Sequence, residues 1–410
     1  MKVRNFASIA AAAGAAVTSV GIQRISANPV TPGDILVYQS GDGSAALGTS
    51  AAAVFVDEYT PTGTLVQTFA MPQSGANPLT CSGSATTEGI MTLSTNGQYA
   101  VLTGYGANVG TATVNTVSGI NRVVGVLNLS TGAIDTTTSL TNAFTGSSIR
   151  GVASIDGNEF WVSGNSGTTN GGILYVPSVG SSSATQVSDG TLNLRGVSLF
   201  GGNLYDTTSA GSARGIQAVT GSTNPPTNST GVTVTTIIPP TADASDSFQG
   251  MFMLTVKSGD SFLDTAYLID NTAGTLQKYS TTNGTTWTAD GSSAAVSSLL
   301  NLTGILNSNG TVTFYATTSS AGGVIDKLTD SSGFGGSITG DTWSTIVNLT
   351  TNPTNPDGLT TPLGTDEAFR GLAIVVPEPA SLVGLCSMAS VMLMKRSKRF
   401  QPVGAISCKF

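Results

Sequence analysis

The chain has 410 residues, 39% of them hydrophobic and only 10% charged, with 51 glycines, three cysteines and no histidine. Such a chain is long enough for a sizeable core, and its low charge excludes wholesale disorder. The lack of imidazole removes Ser/His/Asp and Cys/His triads, histidine-ligated zinc and the usual near-neutral general base.

In chain order, Lys2 and Arg4 precede an alanine-rich apolar run from Phe6 to Val20, too short to span a bilayer. This is the layout of a secretory signal helix and implies the Sec translocon as first partner. The small residue Ala27, before Asn28 and Pro29, marks a plausible cleavage point, so residues 1–27 are read as signal peptide and 28–375 as body.

The body shows no amphipathic helical periodicity of useful length. Short runs rich in Val, Ile, Tyr, Phe and Thr, bounded by Gly, Asn, Asp and Ser, predict strands instead, among them Ile35 to Tyr38, Val54 to Val56, Leu65 to Phe69, Tyr99 to Leu102, Phe160 to Val162, Ile173 to Val176, Leu276 to Tyr279 and Val312 to Tyr315. A recurring start, one polar residue, glycine, then a hydrophobe, falls at Glu88-Gly89-Ile90, Arg150-Gly151-Val152, Arg195-Gly196-Val197, Gln249-Gly250-Met251, Thr303-Gly304-Ile305 and Arg370-Gly371-Leu372. Spacings of 45 to 67 residues suit four-stranded blades with loop insertions. The last copy has room for one strand only, whereas residues 34 to 71 hold later strands with no first strand. The expected fold is therefore an all-β propeller of about six blades, closed by its C-terminal strand, with seven allowed if residues 105 to 120 or 340 to 365 hide another. A solenoid or a β-sandwich array is the structural alternative.

Candidate chemistry is sparse. Arg150, Arg195 and Arg370 share one repeat position, and an anion-binding ring follows if that position rims the channel. The competing expectation is that neighbouring acids such as Asp366 or Glu367 neutralise them. Trp287 and Trp343 each end a Gly-x-Thr-Trp sequence and are read as packing between blades rather than as sugar platforms. Asp57 with Glu58, and Asp366 with Glu367, are adjacent and so point to opposite faces of a strand, unlike a glycosidase couple. Cys81 is the one thiol of the body, read as a small packed hydrophobe. No pattern for a metal, a nucleotide or another cofactor is present.

Beyond the body, Val376-Pro377-Glu378-Pro379-Ala380 leads into an apolar run of 14 residues, Ser381 to Met394, ended by Lys395, Arg396, Lys398 and Arg399. An apolar helix partitions into lipid while adjacent cations stay on the cytoplasmic side, so this reads as a C-terminal transmembrane helix with a stop-transfer cluster. The arrangement resembles the PEP-CTERM sorting signal of exported bacterial proteins, with Pro377, Glu378 and Pro379 at the tripeptide and residues 376–400 as the signal. The resemblance implies recognition by an exosortase-type membrane protease or transpeptidase, and the repeats are similar to those of exported planctomycete-type proteins. The chain departs from the pattern by continuing as a tail, 401–410.

Eight of the 16 cations but only one of the 23 acids, Glu378, lie outside residues 28–376, so the body carries eight cations against 22 acids, a net −14 that disfavours nucleic acid. The expectation is a non-enzymatic protein, exported, transiently anchored in the inner membrane, then placed at the cell surface or in the extracellular matrix. Its partners there would be extracellular polysaccharide or other surface proteins. The alternative is a secreted carbohydrate-binding or glycan-cleaving propeller.

Overall fold

A computed structural model describes residues 28–165, 170–188, 193–238, 247–319, 322–350 and 366–376. The signal peptide, the tripeptide Pro377-Glu378-Pro379, the apolar run and its basic cluster lie outside them. Among the described residues no helix is long and apolar enough to cross a membrane.

Six four-stranded antiparallel sheets form, each from one repeat. Blade 1 spans residues 92–140, blade 2 149–188, blade 3 194–238, blade 4 248–292 and blade 5 299–348. Blade 6 joins the C-terminal strand Ala368–Ile374 to Ile35–Ser40, Val54–Tyr59 and Leu65–Ala70. Residue pairs from Ile35↔Ile374 to Ser40↔Ala368 close the ring. The Gly33 amide donates to the Val375 carbonyl at 2.6 Å and the Val375 amide to Asp34 at 2.9 Å, so the body starts and ends side by side. Closure pairs strand edges that would otherwise template aggregation. All eight strands anticipated from the sequence form.

The cores lie between blades. Each of six buried clusters fills one seam; for example, Leu36 and Tyr38 of blade 6 pack with Met91 and Leu102 of blade 1. The strands have few solvent-facing residues because both faces meet a neighbouring blade, which is why they read as runs of Val, Ile, Leu and aromatics rather than strict alternation.

The register corrects two of the six repeat starts. Val152, Val197, Met251, Leu302 and Leu372 lie opposite Val162, Asp206, Leu268, Ala316 and Val37, so the residue before each is equivalent: Gly151, Gly196, Gly250, Asn301 and Gly371. Blade 5 thus carries Asn301 where the sequence pattern puts Gly304. In blade 1, Ile90 bridges Gly151 and takes the glycine position, so Gly89 falls on the arginine position. The glycines are needed because inner strands meet backbone to backbone. A Cβ on Gly371 would sit 2.3 Å from the Met91 amide nitrogen, and one on Gly250 2.7 Å from that of Leu302. Gly304 answers a different demand: its missing Cβ leaves room for Phe314, 2.9 Å away, and Phe252, 3.0 Å away.

Candidate functional site: the two mouths of the central channel

The inner strands all begin at one end of the axis and finish at the other, giving the channel two chemically distinct mouths. At the starting end, Arg150, Arg195 and Arg370 occupy equivalent places in blades 2, 3 and 6, with Gln249 in blade 4, Leu300 in blade 5 and Gly89 in blade 1. The sequence-predicted arginines are therefore brought to one rim.

A segment from Gly83 to Glu88 crosses that rim. Arg370 donates through Nη2 to the Gly83 carbonyl at 2.9 Å, and Gln249 through Nε2 to the Thr86 carbonyl at 3.1 Å. Blades 6 and 4 are thereby tied to the same stretch of chain. Glu88, 4% exposed, accepts the Tyr105 hydroxyl at 2.8 Å. Arg150 donates to the Leu194 carbonyl at 2.7 Å and to Asn193 Oδ1, while Arg195, half-buried, donates to Ser209 Oγ at 3.4 Å. Arg150 Nε and both amide atoms of Asn301 are buried without a partner.

Among the described residues the ion pairs are Lys257–Asp260 and Lys278–Asp330, and the guanidiniums at the rim bond carbonyl, amide and hydroxyl oxygens instead. Burial pushes the Arg150 guanidinium down to about 10, helped by repulsion from Arg195; Arg195 and Arg370 are lowered by burial as well. Burial raises the Glu88 carboxyl, against the pull of Arg150 and Arg370. Three cations and one acid thus share a solvent-poor rim. They offer donors to an anion, and arginine does not exchange protons near neutrality.

The opposite mouth is apolar. Met91, Leu199, Phe252, Leu302, Leu372 and Val376 are among the residues that enclose about 170 Å³ there, and the described chain ends at Val376 on its edge. Phe200, Phe252 and Phe314 form edge-to-face steps of 6.0 Å beside it.

Of the remaining sequence candidates, Cys81 lies close enough to Arg370 of the rim to feel its charge. Asp57 accepts the Thr68 hydroxyl at 2.7 Å, while Glu58 accepts the Thr31 amide at 2.7 Å and Gln67 Nε2 at 2.6 Å, so the two acids serve different neighbours. Trp343 packs between blades 4 and 5 and donates to Ser293 Oγ at 3.2 Å. Trp287 packs against the core between blades 3 and 4, with its Nε1 buried and unpartnered. Cys81 is buried, its Sγ 3.0 Å from Ser40 Oγ. Among the described residues no three of Asp, Glu and Cys are grouped as metal ligands.

Sequence reasoning missed Asn301 and the crossing segment. Asn301 was hidden by the better-looking glycine three residues on, and nothing local marks Gly83 to Glu88 as a strap.

Fold and rim define a six-bladed β-propeller with a cationic mouth and an apolar one. No protein-family model matches the chain, and no curated protein does. Among solved structures it is similar to the periplasmic gluconolactonase of Pseudomonas aeruginosa, at 11% identity over 72% of this chain and 78% of that one, TM-score 0.45. It is also similar to a putative 6-phosphogluconolactonase of Bacteroides fragilis, at 11% identity over 76% and 81%, TM-score 0.44, and to one of Bacteroides uniformis, at 12% over 76% and 82%, TM-score 0.43. The chemistry is accordingly read from this chain's own side chains.

Proposed function

We propose that this chain is an exported, non-enzymatic β-propeller, delivered to the cell surface or extracellular matrix by a PEP-CTERM-type signal and an exosortase-type protease. The observation that carries the reading is positional. The closing strand ends at Ile374, the last ring hydrogen bonds are made by Val375, and Pro377 follows two residues later. A cut at the tripeptide removes the apolar run and its cations without touching the ring. The lack of histidine and the body's net charge of −14 support a soluble binding module rather than a hydrolase. The test is mass spectrometry of the protein from a surface fraction. A mature chain ending near Pro377 is expected, and one that retains Ser381 to Met394 overturns the reading.

Within the ring, Arg150, Arg195 and Arg370 are assigned to an anionic group such as a carboxylate or sulfate. Sulfate at millimolar concentration is expected to raise the melting temperature of the native chain and not that of an Arg150→Gln, Arg195→Gln variant. Equal shifts in both sink the assignment.

A further inference from the structure

Where blades 3 and 4 meet, a groove of about 290 Å³ opens between the outer strands of blade 3 and two loops of blade 4, its Tyr205 ring 6.1 Å from Phe200 of the apolar mouth. We propose that this groove binds one neutral sugar ring, stacked against Trp287. The inference deepens the carbohydrate-binding alternative and is independent of how the protein is sorted.

Three aromatic side chains come to the groove from three parts of the chain. Tyr205 stands on the second strand of blade 3, Phe262 on the loop before Asp264 and Trp287 on the loop before the last strand of blade 4. Between them lie Asn203, Thr255 and Ser261. Asn203 is held at both ends of its amide, Nδ2 donating to the Gly201 carbonyl at 3.2 Å and Oδ1 accepting from Asn224 Nδ2. The Thr255 hydroxyl donates to the Phe262 carbonyl at 2.7 Å, so its oxygen is left as an acceptor. The Trp287 Nε1 hydrogen is shielded from solvent and has no acceptor. That hydrogen has no exposure to the open groove, so what Trp287 offers a ligand is the face of its ring.

The combination selects the ligand class. Aromatic faces take the C–H side of a ring, and the Thr255 and Ser261 hydroxyls take its oxygens. None of the lining residues is charged, so an ionic ligand finds no counter-charge in the groove. A cavity near the lower end of small-molecule sites, roughly 300 Å³, suits a single ring rather than a long chain.

Ligand-detected NMR titrations of the full chain test the idea, using the methyl pyranosides of glucose, galactose and mannose, with glucuronate and cyclohexanol as controls. At least one methyl pyranoside is expected to saturate, more tightly than either control. Trp287→Ala should weaken it at least tenfold, and Trp287→Phe, which keeps a ring but no N–H, by less. Thr255→Val, which preserves shape, gives a second reading if Trp287→Ala does not fold by circular dichroism. The proposal is overturned if no neutral pyranoside saturates, if cyclohexanol binds as tightly, or if Trp287→Ala (Thr255→Val where the former does not fold) leaves binding unchanged.

Discussion

The hydroxyl of Thr207 in blade 3 donates to the main-chain carbonyl of Gln249 in blade 4 at 2.9 Å, and the same oxygen accepts the Gly196 amide at 3.0 Å. The relationship recurs around the ring. Thr103 reaches the Arg150 carbonyl at 3.3 Å, Ser163 the Arg195 carbonyl at 2.9 Å, and Thr317 the Arg370 carbonyl. Equivalent positions in the other two blades carry Ile269, which has no hydroxyl, and Tyr38, whose ring lies against Gly89. A hydroxyl on the second strand thus pins the inner strand of the next blade at the carbonyl of the arginine position, so the rim and the seams are built by one device.

Thr207→Val keeps the shape and removes the hydroxyl, leaving a buried carbonyl and a buried amide without a partner. Destabilisation of about 1–3 kcal/mol is expected in urea unfolding. Thr103→Val, on a different seam, should add to it nearly independently. A Thr207→Val chain as stable as the native one would show that the seam bonds are incidental.

Asp57 predicts a pH dependence. It is fully buried, its Oδ2 is unpartnered, and burial pushes its carboxyl up to about 7, opposed by the Thr68 hydroxyl. Asp34 is raised to about 6, first by burial and then by the hydrogen bond and charge of Glu58. A carboxyl whose folded pKa exceeds its unfolded value near 3.9 binds its proton more tightly in the folded state. The stability this gives is complete below about pH 4 and is lost as the pH rises through 6 and 7, on the order of 4 kcal/mol for Asp57. Asp330 works in the opposite sense: hydrogen bonds from Lys278, Ser332 and Tyr267 outweigh burial and lower it, so its contribution is lost only in more acidic solution. Unfolding at pH 5 and pH 8 should show the native chain weaker at pH 8, and Asp57→Asn should remove part of that difference. An unchanged difference would rule Asp57 out as the source.

Much of this architecture is legible in the sequence, because a ring of blades repeats its backbone requirements. Gly151, Gly196, Gly250 and Gly371 recur since inner strands touch there, and the lone final strand announces closure. The pattern fails where a second cause produces the same letters. Leu302-Thr303-Gly304-Ile305 looks like Leu194-Arg195-Gly196-Val197, yet its glycine makes room for phenylalanine rings, and Asn301 holds the true position. The strap over the rim is illegible for another reason. The bond from Gln249 to Thr86 joins residues 163 apart, and no local period encodes such a contact. The groove at Trp287 is likewise assembled from blade 3 strands and blade 4 loops, so its aromatics look unrelated until the ring closes.

The Lys278–Asp330 pair, 2.8 Å apart with both side chains 1% exposed, joins blades 4 and 5. Lys278 also donates to Ser332 Oγ at 2.8 Å and the Gly333 carbonyl at 2.6 Å, and Asp330 accepts the Tyr267 hydroxyl at 2.6 Å. Removing one member leaves the other charge buried, so Lys278→Met is expected to destabilise by about 3–5 kcal/mol. Adding Asp330→Asn, which retains an acceptor for Tyr267, should recover more than half of that loss. A double variant no better than the single one would mean that the hydrogen-bond network, rather than the charge pair, holds this seam.

Ring closure gives a sharp test of the closing strand and of the proposed cleavage just beyond it. Chains beginning at Asn28 and ending at Val376 or at Asp366 differ only by the closing strand Ala368–Ile374, Glu367 before it and Val375 and Val376 after it. The shorter one loses the pairing from Ile35↔Ile374 to Ser40↔Ala368 and the buried side chains of Phe369, Leu372 and Ile374. At about 1.5–3 kcal/mol for each large buried side chain, that exceeds half of a typical domain's stability of about 5–15 kcal/mol. It also exposes the edge of Ile35–Ser40, a template for association. The chain ending at Val376 should elute as a monomer and melt within a few degrees of the longer protein, whereas the one ending at Asp366 should aggregate or show no cooperative melt by circular dichroism. Cooperative, monomeric folding of the shorter chain would remove the closing strand from the account of stability. It would also remove the positional observation on which the proposed sorting role of Pro377, Glu378 and Pro379 rests.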